Sequence, residues 1–212
     1  MAENALPTST EHEEKLERLL GLAAEIFAEK GYHHASIRDL SKRAGTSLSG
    51  LYYYFDSKQE LLAMIQDRSL RKVLATLRSK LEGVDSAEEK LRVLVYNHVG
   101  FFSENMAAMR VITHEYDSLE GEYRKRITEL RREYSDVCQE ILREVRRFTS
   151  AGDVAPLNVA TSALFGMMNW IYAWYTPGSN VPVERLAEHL YRLFTGGFIG
   201  RPGKSSTGRV AG

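Results

Sequence analysis

Cysteine is almost absent from this chain of 212 residues. The single thiol, Cys138, excludes an intramolecular disulfide framework and fits a reducing, cytoplasmic compartment. A charge imbalance is lacking too, since 28 Lys and Arg meet 28 Asp and Glu. Any nucleic-acid surface must therefore be a local patch rather than a global field. The six histidines are scattered, and the adjacent His33 and His34 point to different faces without a Cys or carboxylate at ligand spacing. No Gly-rich phosphate loop or nucleophile elbow occurs. Neither metal, cofactor nor enzyme activity is expected. Strand patterns and internal repeats are missing as well, which leaves an all-α chain of about nine helices.

A long unbroken apolar run is also lacking, although the segment between Asp153 and Glu184 comes near one, because it contains no charged residue. Asn158, Thr161, Ser162 and Asn169 interrupt it, Pro156 and Pro177 hold it close to the minimum span of roughly 17 residues, and no basic cluster flanks it. A helix covered on most sides by protein is the better reading, and no membrane partner is expected. The opening MAENALPTSTEHEE is polar and acidic. It reads as a disordered lead over 1–10 rather than a secretory leader.

What is present is concentrated in Ser36–Lys58, SIRDLSKRAGTSLSGLYYYFDSK. An apolar-periodic turn through Ile37, Leu40 and Ala44 meets Gly45, where a helix stops cheaply in the left-handed conformation. Thr46 or Ser47 can cap the next helix, which carries Leu48, Leu51 and the aromatics to Phe55. Two short helices at a tight corner make a helix-turn-helix, whose second helix can enter the DNA major groove. A preceding helix, Glu11 to Lys30, offers the apolar stripe Leu16, Leu19, Leu20, Ala23, Ala24 and Phe27 that such a corner needs for a core.

Capping boxes at Ser57/Glu60 and Ser86/Glu89 open two further helices, Lys58 to Leu81 and one running to Ser103. Helices over Met106 to Ile112, Leu119 to Phe148, Leu157 to Tyr175 and Val183 to Thr195 complete the series, with a loop at Ser150 to Pro156. The Gly- and Ser-rich residues 197–212 read as a disordered tail. The expected organisation is a DNA-binding domain over 11–57 and a second helical domain over 58–196.

The span Leu20 to Met64 closely resembles the TetR/AcrR family of bacterial transcription regulators. The matching residues are Ala23-Ala24, Phe27, Gly31-Tyr32, Ser36-Ile37-Arg38-Asp39-Leu40, Ala44-Gly45, Ser49 to Phe55 and Ser57 to Leu62. FGMMNWIYAWYTPG adds a weaker likeness to one branch of that family. The resemblance implies a ligand-responsive homodimer, mostly repressing, that binds double-stranded DNA at a palindromic operator. Carried over by position, Ser36, Arg38, Thr46, Ser47, Leu48, Ser49, Gly50, Tyr52, Tyr54 and Lys58 are the candidate DNA contacts. Arg38 can read guanine, or can pair with Asp39 or Glu60. Leu48 and Gly50 leave the recognition helix short of polar readers, so specificity shifts towards Arg38, Tyr52 and DNA shape. Tyr53 and Phe55 read as core.

The resemblance also implies a small-molecule pocket in the second domain. Candidates are His98, Phe101, Phe102, Asn105, Met106 and Met109, then Tyr134 and Cys138, then Asn169, Trp170 and Trp174. His98 and Asn169 stand out because a polar group on an apolar face must find a partner. A hydrophobic or acyl-CoA-like effector is expected, with Arg110 or Arg124 facing its phosphates. Small residues Ala160, Ala163 and Gly166 among Leu164 and Met167, together with Leu186, Leu190 and Leu193, suggest a four-helix dimer interface. An activator of the same fold, or a helical protein-interaction module that keeps the helix-turn-helix as scaffold, are the alternatives.

Overall fold

Apolar residues at three- and four-residue spacing wind the first segment into α1 (Ser9–Lys30), which buries Leu16, Leu19, Leu20, Ala23, Ala24, Ile26 and Phe27. The computed structural model describes residues 9–148 and 155–196. α1 begins two residues before Glu11, and Gly31 closes it at φ 76°. The expectations for residues 1–8, 150–154 and 197–212 lie outside the described residues.

Ser36 starts α2 (Ile37–Ala44) with a capping box: its hydroxyl accepts the Asp39 N–H at 3.2 Å while its own N–H donates to the Asp39 carboxylate at 2.8 Å. Gly45, at φ 63°, turns the chain, and Ser47 caps α3 (Leu48–Leu51). The expected helix through Phe55 is therefore a single turn. Three consecutive tyrosines are weak helix formers, and the next helix is already being set up behind them. The Asp56 N–H donates to Glu60 and the Glu60 N–H to Ser57 at 3.0 Å, which opens α4 (Lys58–Leu81).

α4 carries the chain out of this N-terminal unit. It packs on α1, then on α5 (Ala87–Glu104), α6 (Met106–His114) and α7 (Gly121–Phe148). α8 (Leu157–Asn169) follows, and α9 (Val183–Thr195) closes the bundle against α5. α8 does not reach Tyr175 as a regular helix. Its C-terminus tightens into a 3-10 turn over Trp170–Ala173, which lets Ile171 and Tyr175 turn inward while the Tyr175 hydroxyl donates to the Val181 carbonyl at 3.0 Å. The described residues contain nine α-helices and no strand, and none of the described helices is long and apolar enough to cross a membrane.

The helix-turn-helix, the interdomain clasp and a candidate effector cavity

On the outer face of the N-terminal unit, α2 and α3 leave Arg38, Leu48, Ser49, Tyr52 and Tyr53 exposed. Arg38 makes no ion pair among the described residues, because the carboxylates near it in sequence are engaged elsewhere. Asp39 accepts from Lys30 Nζ at 2.7 Å and from Ser36, which hold its carboxyl well below the usual range. Glu60 takes the Asp56 N–H. Tyr52 is 51% exposed and Tyr53 59% exposed. Tyr53 is thus a surface residue, against its reading as core, since the chain leaves helical geometry at Leu51. Phe55 is buried as the spacing suggested.

Gly50 has a packing reason. A Cβ there would stand 2.9 Å from Thr46 Cγ2 and 3.2 Å from Ser47 Oγ, the atom that accepts the Gly50 N–H. Two of the expected phosphate contacts are half-buried and also engaged within the protein. Tyr54 is half-buried and stacks on His12 with centroids 4.7 Å apart. Lys58 sits 4.2 Å from the Tyr32 ring centroid and donates to the His33 carbonyl at 3.4 Å, and burial lowers its pKa.

The two halves meet at the end of α6. Glu115 Oε1 accepts the Tyr32 backbone N–H at 3.0 Å. Gln59 donates to the Ser118 carbonyl at 2.7 Å, and Gln66 to the Glu115 carbonyl at 3.3 Å.

Between α5, α7 and α8, with Leu70 of α4 and Ile112 of α6 on its sides, lies a cavity of about 360 Å³. Its walls include His98, Phe102, Tyr134, Phe165 and Asn169, with Arg131, Ser135, Thr161, Ser162 and Gly166 beside them. A larger groove of about 590 Å³ between α4, α5 and α9 has charged walls. One of them, Arg92, is already paired with Glu188 and stacked on Tyr191 at 4.6 Å. The smaller cavity is the candidate effector site, because the aromatic and aliphatic side chains of Leu70, Phe102, Ile112, Tyr134 and Phe165 stand there beside polar ones, among which His98 Nε2 has no hydrogen-bond partner.

Of the expected ligand residues, the cavity brings together His98, Phe102, Tyr134 and Asn169. Phe101 and Asn105 line a separate groove beside Arg68, and Met106 is half-buried outside the cavity wall. Met109 and Cys138 are buried in the core behind it, and burial pushes the Cys138 thiol up to about 12. Trp170 and Trp174 are on the surface. Trp170 continues the exposed stripe of Val159, Ala163 and Gly166 on α8, and Trp174 lies just past the 3-10 turn.

Arg131 is absent from the residues expected here. It stands where Arg110 and Arg124 were expected to act: Arg124 pairs with Asp117 at 3.0 Å, and Arg110 faces the α1 terminus. Arg131 follows Ile127 by four residues on the buried stripe of α7, a spacing that could have marked it. Its guanidinium donates to the Ile112 carbonyl at 3.0 Å and lies 4.5 Å from the Tyr116 ring centroid. Burial lowers its pKa, and Tyr116 and Asp117 offset that effect only in part.

Sequence comparison decides the family. Residues 19–65 match the model of bacterial regulatory proteins of the tetR family, and residues 84–198, more than half of the chain, match the tetracyclin repressor-like C-terminal domain. The chain belongs to the TetR family. It is a DNA-binding transcriptional regulator. A fatty acid metabolism regulator protein of Bacillus subtilis (strain 168) is 21% identical over 186 residues, covering 86% of this chain and 95% of that one. The crystal structure of the TetR family regulator PfmR from Thermus thermophilus superposes with a TM-score of 0.73 at 30% identity, covering 84% of this chain and 96% of that one. AibR in complex with isovaleryl coenzyme A and operator DNA shares the fold, with a TM-score of 0.73 at 21% identity over 84% of this chain and 97% of that one. In this TetR-family regulator, helix-turn-helix and cavity thus lie in two halves joined by the contacts at the end of α6.

Proposed function

We propose that this regulator is a homodimeric repressor, released from a palindromic operator when an apolar, acyl-bearing effector such as an acyl-CoA enters the α5–α7–α8 cavity. One observation carries the reading. Arg131 borders the cavity and also holds the Ile112 carbonyl of α6, the helix whose end clasps Tyr32 through Glu115. An anionic or polar effector group that draws Arg131 away from Ile112 loosens the footing of the clasp. The N-terminal units of a dimer then lose the roughly 34 Å spacing that successive major grooves require. About 360 Å³ suits the acyl part of such a ligand, leaving a nucleotide portion outside. The fatty acid metabolism relative and the isovaleryl coenzyme A complex of AibR support this ligand class.

On the DNA side, Arg38, Leu48, Ser49 and Tyr52 face the major groove, with Tyr53 added to the contact surface. Ser36, Thr46 and Ser47 meet phosphates with hydroxyls and backbone N–H groups. Tyr54 and Lys58 brace the unit through His12 and Tyr32.

The dimer face is the outer stripe of α8. Val159, Ala163, Gly166 and Trp170 are exposed at helical spacing, with Leu193 of α9 69% exposed and Met167 half-buried. Ala160, Leu164, Leu186 and Leu190 instead fasten α8 and α9 to their own core.

A gel-shift titration with DNA from upstream of the gene tests the reading. We expect a saturable, salt-sensitive complex that octanoyl-CoA or isovaleryl-CoA dissolves. A complex indifferent to both thioesters would sink the acyl effector, and the absence of any complex would sink the operator reading.

A further inference from the structure

Nε2 of His98 is a buried polar atom without a hydrogen-bond partner, on a ring that is 2% exposed and borders the effector cavity. Tyr134 and two phenylalanines fix that ring. The Tyr134 hydroxyl meets Nδ1 at 3.0 Å, and the rings of Phe102 and Phe165 lie at centroid distances of 4.8 and 5.8 Å. Asn169 stands beside it and partly offsets the effect of burial, yet closes no bond to Nε2.

The tautomer follows from counting donors. Burial pulls the imidazole pKa down to about 3, so the ring is neutral, with one N–H and one lone pair. Nδ1 is the hydrogen-bond partner recorded for the Tyr134 hydroxyl among the described residues. If the phenol donates to Nδ1, the ring proton sits on Nε2 and a single N–H is left over. The opposite tautomer strands both the phenol proton and the Nε2 lone pair. The first arrangement leaves fewer buried polar groups unmet.

We propose that His98 Nε2–H is the carbonyl reader of the cavity, donating to the C=O oxygen of an apolar effector and so selecting acyl and keto compounds over hydrocarbons of the same shape. A carbonyl oxygen only accepts, and it answers the one unmatched donor without bringing a proton that needs a partner of its own. Tyr134 is the positioning residue, because its hydroxyl holds the tautomer. The inference rests on the reading of this cavity as the effector site.

The test uses 2-decanone and 2-methyl-1-decene, which differ only in C=O against C=CH2, competing with a fluorescent apolar dye on the full chain. Wild-type protein should prefer the ketone by about tenfold, the usual consequence of meeting one buried donor. His98→Phe should erase the preference while keeping or improving affinity for the alkene. His98→Phe/Tyr134→Phe removes both hydrogen-bonding groups and gives the same readout if the single variant folds poorly. A preference that survives in both variants, or none in wild type, overturns the carbonyl reader and leaves the cavity as an effector site. If neither probe nor dye binds, the cavity reading falls and takes this inference with it.

Discussion

Glu115, one residue past the end of α6, accepts the backbone N–H of Tyr32 at 3.0 Å, and so ties the C-terminal helical half of the molecule to the helix-turn-helix across 83 residues of chain. Ser118 donates to the other carboxylate oxygen at 3.0 Å and keeps the group aimed. Glu115→Ala should uncouple the halves. The variant should still bind DNA, but the ratio of DNA dissociation constants with and without octanoyl-CoA should move towards one. The melting temperature should fall by the few degrees that follow from losing a charge-assisted hydrogen bond worth about 1.5–3 kcal/mol in partly buried surroundings. An unchanged effector response would separate the clasp from signalling.

Gly50 offers a prediction that two neighbouring atoms control. In Gly50→Ala the new methyl stands 2.9 Å from Thr46 Cγ2, so α3 must shift, at a cost of about 1–3 kcal/mol. DNA affinity should drop severalfold as the recognition turn moves. Thr46→Ser deletes the clashing Cγ2 and keeps the hydroxyl, so the double variant should recover most of the affinity in a gel shift. No recovery would mean that Gly50 is needed for close approach to DNA rather than for packing.

Local chemistry made the N-terminal unit readable. Gly45, the Ser57/Glu60 cap and the α1 stripe act within a few residues, and their partners lie close in the chain. Tyr53 misled because its place depends on where α3 stops, which the tertiary anchors Leu51 and Phe55 decide. The cavity was legible on α5 and α7, where polar and apolar residues alternate enough to mark His98, Phe102 and Tyr134, and on α8 only at Asn169, a polar residue closing an apolar run. α8 carries no charge, so its sequence has little contrast between inside and outside. Nothing in that stretch distinguishes Phe165 and Thr161 as cavity walls, or Trp170, which opens the 3-10 turn, and Trp174, which follows it, as surface residues. Arg131 was hidden by its charge, since a basic residue on a charged helix reads as solvated until a ring and a carbonyl are seen around it.

Arg38 should separate specificity from stability. It makes no ion pair among the described residues and is exposed, so Arg38→Ala should leave the melting temperature within about a degree of wild type. Operator affinity should fall by about 1–3 kcal/mol, and competition with substituted operators should show the discrimination concentrated at one position per half-site. A uniform loss across all sequences would instead make Arg38 a phosphate contact.

His98 carries a pH signature. Its pKa is pulled by burial from an ordinary value near 6.5 to about 3 in the folded chain, so between those limits the unfolded state binds the proton and the folded state does not. The stability tied to the neutral ring is present in full above about pH 6.5. It is lost progressively as pH falls towards 3, for a total on the order of a few kcal/mol. His98→Phe removes the titrating group, so the gap between wild-type and variant unfolding free energies, followed by urea denaturation from pH 7 down to pH 4, should widen steadily in favour of the variant. Parallel curves for the two proteins across that range would show that the ring is hydrated and free to protonate in the folded state, and would remove the reason for calling Nε2 an unmet donor.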